Sequence, residues 1–239
     1  MAIKKCLILC VGVLVSTIFI QTSSASIQLK VGKAYFSGNT GEFGATIVSP
    51  GPLANYDLGG YVDGVTGSYT DGVLGAFNTF CMEKDQFVNP DNSTVYDYEL
   101  TDNVNGDKLS QGTAWLYELF AAAELDGYEY DDSQERKGHA SALQKVFWML
   151  EDEVNLGHYS GALIDYYLGL LDAEFGSFAN AQADYTGSGV GVLHSDENQD
   201  LIVIIGEDDP QPVPEPLTLA VWGITGALGC GFFLRKGRK

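Results

Sequence analysis

One thiol stands apart in this chain. Of the four cysteines, Cys6 and Cys10 lie in an apolar N-terminal run and Cys230 in an apolar C-terminal one. Only Cys81 falls in the long stretch between them, so that stretch forms no internal disulfide. A thiol becomes a nucleophile when it loses its proton. A lone cysteine in an oxidising compartment is a liability unless it is buried, paired between chains or chemically used. Cys81 sits in Phe80-Cys81-Met82-Glu83, at the end of a run that reads as a strand. A second segment, Leu143-Gln144-Lys145-Val146-Phe147-Trp148, sets a carboxamide beside two aromatic residues on a helical pattern.

Together these segments resemble the paired motifs of bacterial surface thioester domains. In that family an aromatic-Cys-apolar-polar segment supplies the thiol. An apolar-Gln-polar-apolar-apolar segment, often ending in Trp, supplies the acyl group. The resemblance implies an internal thioester between Cys81 and Gln144, with Phe80, Phe147 and Trp148 shielding it from water. A carboxamide is a poor electrophile. Ring closure with loss of ammonia therefore requires a rigid strand–helix contact and hydrogen-bond donors near the carbonyl oxygen. An amine or hydroxyl partner would then displace Cys81 and remain joined to Gln144. That is covalent adhesion, a single event without turnover, and not enzyme catalysis. The family's Gln segment often begins with Thr and has Ala two residues after Gln, where this chain has Leu143 and Val146. A second reading stays open: Cys81 as a small core residue and Gln144 as an ordinary helix-surface residue.

Other polar groups give weaker patterns. His139, His158 and His194 lie far apart without metal-ligand spacing, so neither a metal nor a cofactor is expected. Asp91, Ser93 and Asp97 make half of a calcium loop but lack its Gly and final Glu. Asp196-Glu197-Asn198-Gln199-Asp200 reads as an exposed turn, and Glu151-Asp152-Glu153 as a solvated helix end. Polysaccharide hydrolysis has no paired-carboxylate signature to support it. A Ser-His-Asp elbow and a Gly-rich phosphate loop are also missing.

The elements that must position these residues follow from periodicity. Alternating or apolar runs predict strands at 27–36, 43–48, 60–69, 76–82 and 94–101, separated by Gly and Asn/Asp clusters. A helix is expected over 113–125. Asp132 with Glu135 marks the start of a second helix running to about 153, with a core stripe of Ala140, Leu143, Phe147, Leu150 and Val154. A third begins near 160, and strands return at 190–194 and 201–205. The expected class is α+β: a β-sandwich-like N-terminal part, a three-helix segment and returning C-terminal strands. A C-terminal transmembrane helix is expected beyond them.

The two ends read as address signals. Residues 1–25 carry Lys4 and Lys5, an apolar run over 6–20, and Ser23-Ser24-Ala25, the pattern of a secretory signal cleaved before Ser26. The domain expected to be exported is 26–210. The tail, 211–239, has three parts: Pro214-Glu215-Pro216, an uncharged run over 217–234, and Arg235, Lys236, Arg238 and Lys239. The run spans about 27 Å as a helix, close to a bilayer core. The basic end is held cytoplasmic. This order resembles the PEP-CTERM sorting signal of Gram-negative bacteria. The resemblance implies recognition by an exosortase, an inner-membrane anchor before sorting, and delivery to the cell surface or extracellular matrix of a biofilm.

Net charge is −19, and between the two ends only Lys30, Lys33, Lys84, Lys108, Arg136, Lys137 and Lys145 are basic. Such a field repels nucleic acid and anionic lipid. The expected function is therefore a surface or matrix protein that adheres covalently, with an amine-bearing surface or matrix polymer as partner. The alternative is a non-covalent matrix or carbohydrate-binding structural protein with an inert Cys81.

Overall fold

The computed structural model describes residues 26–49, 76–104, 106–131 and 133–205. The signal segment, the strand expected at 60–69, the cap at Asp132 and the whole sorting tail lie outside these residues.

Two long strands open the fold. β1 (Ile27–Ser37) and β2 (Thr40–Ser49) pair antiparallel. Gly38 turns between them at φ 67°, a left-handed conformation that glycine adopts without a steric cost. Ile27, Leu29 and Val31 are fully buried, as the alternation predicts. β3 (Ala76–Thr79) pairs with β2, and β4 (Asp91–Thr101) with the other side of β1. β5 (Asn103–Val104) and β6 (Asp107–Lys108) make a small separate hairpin.

Four helices follow: α1 (Gln111–Ala121), α2 (Ser133–Leu150), α3 (Ala162–Phe175) and the short α4 (Phe178–Ala181). Ser110 caps α1 by accepting from the Thr113 N–H. Gly176 ends α3 in the left-handed conformation. The stripe expected on α2, from Ala140 through Leu143 and Phe147 to Leu150, is buried. Among the described residues no helix is long and apolar enough to cross a membrane.

β7 (Val190–His194) and β8 (Leu201–Ile204) then return, giving the sheet order β3-β2-β1-β4-β7-β8. The α+β class stands, but among the described residues the strands expected to form a sandwich make one six-stranded antiparallel sheet, beside the small β5–β6 hairpin. The reason lies in β4. Its residues 91–98 pair with β1 and its residues 99–101 with β7, so the returning strands extend the first sheet and build no second layer.

The sheet curls until its outer strands meet. Cys81, just beyond β3, bridges Leu201 of β8. The Ile202 N–H donates to the Phe80 carbonyl at 3.2 Å, and the Met82 N–H to the Asp200 carbonyl at 2.9 Å. The Thr79 hydroxyl donates to the Ile202 carbonyl at 2.6 Å. Strand alternation sorts side chains into two cores. Ile27, Leu29, Phe77, Cys81, Tyr98, Leu193 and Leu201 fill the inside of the curl. Phe80, Met82, Val192 and Ile202 face the helices and join their apolar faces.

Candidate functional site

The closing bonds between β8 and the segment after β3 come from Phe80 and Met82. In an antiparallel ladder the residue between them turns its own N–H and C=O the other way. There β2 would be the neighbour, but its pairing with β3 stops at Phe43 and Thr79. A side chain takes the vacant place. The Cys81 N–H donates to Gln144 Oε1 at 3.0 Å, and Gln144 Nε2 donates to the Cys81 carbonyl at 2.5 Å. Gln144 is 0 % exposed and Cys81 2 %. The reading of Gln144 as a helix-surface residue is therefore wrong. Buried backbone groups need partners, and this carboxamide supplies both at once.

The residues expected to shield the pair lie in the outer core. The Phe80 ring packs edge-on against Phe147, with centroids 5.2 Å apart, and against Phe120 at 4.9 Å. Trp148 is buried beside Tyr159. Its indole N–H makes no hydrogen bond among the described residues.

Electrostatics around the thiol are one-sided. Burial pushes the Cys81 thiol well above its ordinary pKa, and the nearby Glu83 carboxylate adds to the rise. The thiol is protonated at neutral pH. Burial also raises Glu83, to about 6. Glu83 accepts from Gln86 Nε2 at 2.8 Å and from the Asp200 N–H at 3.1 Å, and its carbonyl accepts from Gln199 Nε2. The buried Asp200 carboxylate faces His194 Nδ1 at 2.9 Å and accepts from the Ser195 N–H. Its hydrogen bond raises the His194 pKa.

Several polar expectations change accordingly. In the segment read as an exposed turn, Asp196 and Glu197 are exposed but Gln199 and Asp200 are buried, because they tie β8 to the Cys81 segment. Glu151 is not a solvated helix end: it accepts from the Ser110 N–H and hydroxyl at the start of α1. Glu153 accepts from the Lys84 N–H. Asp91 folds its carboxylate onto the N–H groups of Ser93 and Thr94, and Asp97 accepts from Ser26 and Gln28. His139 lies 2.9 Å from the Tyr167 hydroxyl, and His158 packs on Tyr159. Among the described residues no three metal-ligating groups converge.

No family model, curated protein or solved structure matches this chain.

The site must therefore be read from its own geometry. A carboxamide and a thiol-bearing residue are clamped together in a dry interior. The carboxamide oxygen already holds an N–H donor of the kind that stabilises developing negative charge. Sequence reasoning missed the second polar contact of α2, between Arg136 and Glu42 of β2, at 2.7 Å and fully buried. A signal for it existed. Arg136 stands four residues before Ala140, on the stripe that predicts the core face.

Proposed function

We propose that this chain is an exported bacterial surface or matrix protein whose domain forms an internal Cys81–Gln144 thioester and uses it for covalent adhesion. The observation that carries this reading is the reciprocal pairing of the Gln144 carboxamide with the Cys81 backbone in a buried strand–helix contact. Cys81 Sγ bonds to Gln144 Cδ, the Cδ–Nε2 bond breaks, and Nε2 leaves as ammonia with the thiol proton. The hydrogen bond from Nε2 to the Cys81 carbonyl is lost. The one from the Cys81 N–H remains on the acyl oxygen and stabilises its negative charge. A partner amine later bonds to the same carbon, the C–S bond breaks, and the thiol regains a proton from the amine. Phe80, Phe147 and Trp148 keep water from the acyl carbon in the interval.

Export and sorting rest on the two ends. The signal segment 1–25 starts translocation. An exosortase reads Pro214-Glu215-Pro216 while 217–234 anchors the chain in the inner membrane and the basic end stays inside. The acidic domain is then delivered to the surface or matrix.

Intact mass of the folded chain tests the thioester. The expected mass is one ammonia short, with no deficit in Cys81→Ala. Methylamine should add to Gln144 and free one thiol. Full mass, with a thiol that titrates only on unfolding, would overturn the reading. That outcome belongs to a second reading, a non-covalent matrix or carbohydrate-binding structural protein. One observation favours it: the Cys81 side chain packs in the inner core with its thiol protonated, and Gln144 serves the backbone alone.

A further inference from the structure

β4 has one edge that no described strand covers. It pairs with β1 over 91–98 and meets β7 only over 99–101. The regular uncovered edge runs over 95–98, or roughly 13 Å, because the strand bulges over 92–94 and the Asp91 carboxylate takes the Ser93 and Thr94 N–H groups. Beside it lies a groove of about 610 Å³, lined by 94–99 on one side and by the β7–β8 turn, 194–198, on the other. Tyr98 borders this groove, with its side chain buried in the inner core. Val95, 41 % exposed, gives an apolar foothold on the same strand.

The charge of the groove selects the occupant. Asp97, Glu99, Asp196 and Glu197 are exposed on its rim, and no Lys or Arg lines it. Its one other titratable group besides the tyrosines is His194, with Nε2 3.3 Å from Asp196. An uncovered strand edge presents N–H and C=O groups that another strand can satisfy. A second copy of this chain brings the same acidic strand and is repelled. Segments 50–75 and 206–211 carry Asp57, Asp63, Asp71, Glu207, Asp208 and Asp209 and no basic residue, so they lack the charge that complements the rim.

We propose that this groove docks an extended basic segment of a partner polypeptide, which adds to β4 as a further strand. Main-chain hydrogen bonds along the edge supply affinity, and basic side chains meeting the acidic rim supply selectivity. The site does not depend on the thioester, so a chain with no mass deficit binds equally well.

The test uses the full chain and a fluorescent peptide of alternating lysine and valine. Two controls replace lysine by glutamate or valine by proline, the latter removing main-chain donors. Anisotropy should report saturable binding of the lysine–valine peptide alone, and amide exchange should slow within 95–98 in the complex. The exposed double change Asp196→Lys/Glu197→Lys should weaken binding about tenfold or more. Glu197→Gln alone, the milder change, should weaken it less. Equal binding of the lysine–proline peptide would overturn strand addition. Protection confined elsewhere, or binding unaffected by either variant, would overturn the site.

Discussion

Besides the Ser141–Thr40 hydroxyl pair, helix α2 is fastened to the sheet through Arg136 and Gln144, and these two fastenings differ in kind. At Arg136 the link is ionic and made of several bonds. Nε and Nη2 donate to Glu42 at 3.0 and 2.7 Å, Nη1 donates to the Tyr130 carbonyl, and the Tyr128 hydroxyl donates to the same carboxylate. The Tyr35 ring lies 4.4 Å from the guanidinium carbon. Burial pushes the Glu42 pKa up, against the opposing pull of Arg136 and Tyr128. Two turns later, at Gln144, the link is neutral and sparing: one bond accepted and one given. A group tied on every side can only hold. A carboxamide with one partner on each atom holds with only two bonds.

Removing a partner from the ionic link should have the largest effect. Arg136→Met leaves Glu42 buried without its counter-charge and should cost about 3–5 kcal/mol in urea unfolding. Adding Glu42→Leu should restore much of that loss. Strict additivity of the two changes would break the claim that they act as one unit.

The amide link should rank second. Gln144→Leu strands a buried N–H and C=O at Cys81 and should cost about 2–4 kcal/mol. Cys81→Ala leaves only a small cavity and should cost about 1–2 kcal/mol. If a covalent bond joins the two residues, the gap between these variants narrows, because either change abolishes it. Unfolding of both, set beside their intact masses, sharpens the comparison.

Acidity should act at both links, and Glu83 gives the clearer reading. Glu83 lies beside the amide link, and its pKa rises from 4.5 to about 6 in the fold. The folded state therefore holds this proton more tightly than the unfolded one. Its stabilising contribution is fully present below pH 4.5 and is lost as pH rises through about 6. His194, also raised, acts in the same sense, with stability present below 6.5 and lost above its folded value. Glu83→Gln should flatten unfolding free energy between these pH values, and an unchanged slope would count against the assignment. The smallest effect is expected at Trp148→Phe, which deletes a buried N–H without a partner among the described residues, along with some volume. A net change within about 1 kcal/mol is expected in the same urea titration.

Local pattern made much of the frame legible. Ile27, Leu29 and Val31 alternate because one face of β1 is buried, and the α2 stripe repeats because one side of that helix meets the sheet. The two segments around Cys81 and Gln144 could be picked out for their chemistry. Their contact was beyond local reading, because it depends on where β2 stops. The closure between Cys81 and Leu201 joins segments distant in the chain, and propensity says nothing about such pairing. The same holds for Glu151 and Asp200. Each looks like a surface acid, but Glu151 accepts from the distant Ser110 N–H, and Asp200 is buried where its own N–H donates to Glu83.

The closure of the sheet bears on how the domain carries load. β8 is the last described strand before the chain continues toward its C-terminus, and it is gripped by β7 on one side and by 80–82 on the other. Interstrand bonds lie across the strand direction. A pull along β8 therefore strains both rows together in shear, where a strand gripped on one side could be unzipped bond by bond. A pull applied at the end of β8 meets a two-sided clamp, and Cys81 forms part of its jaw.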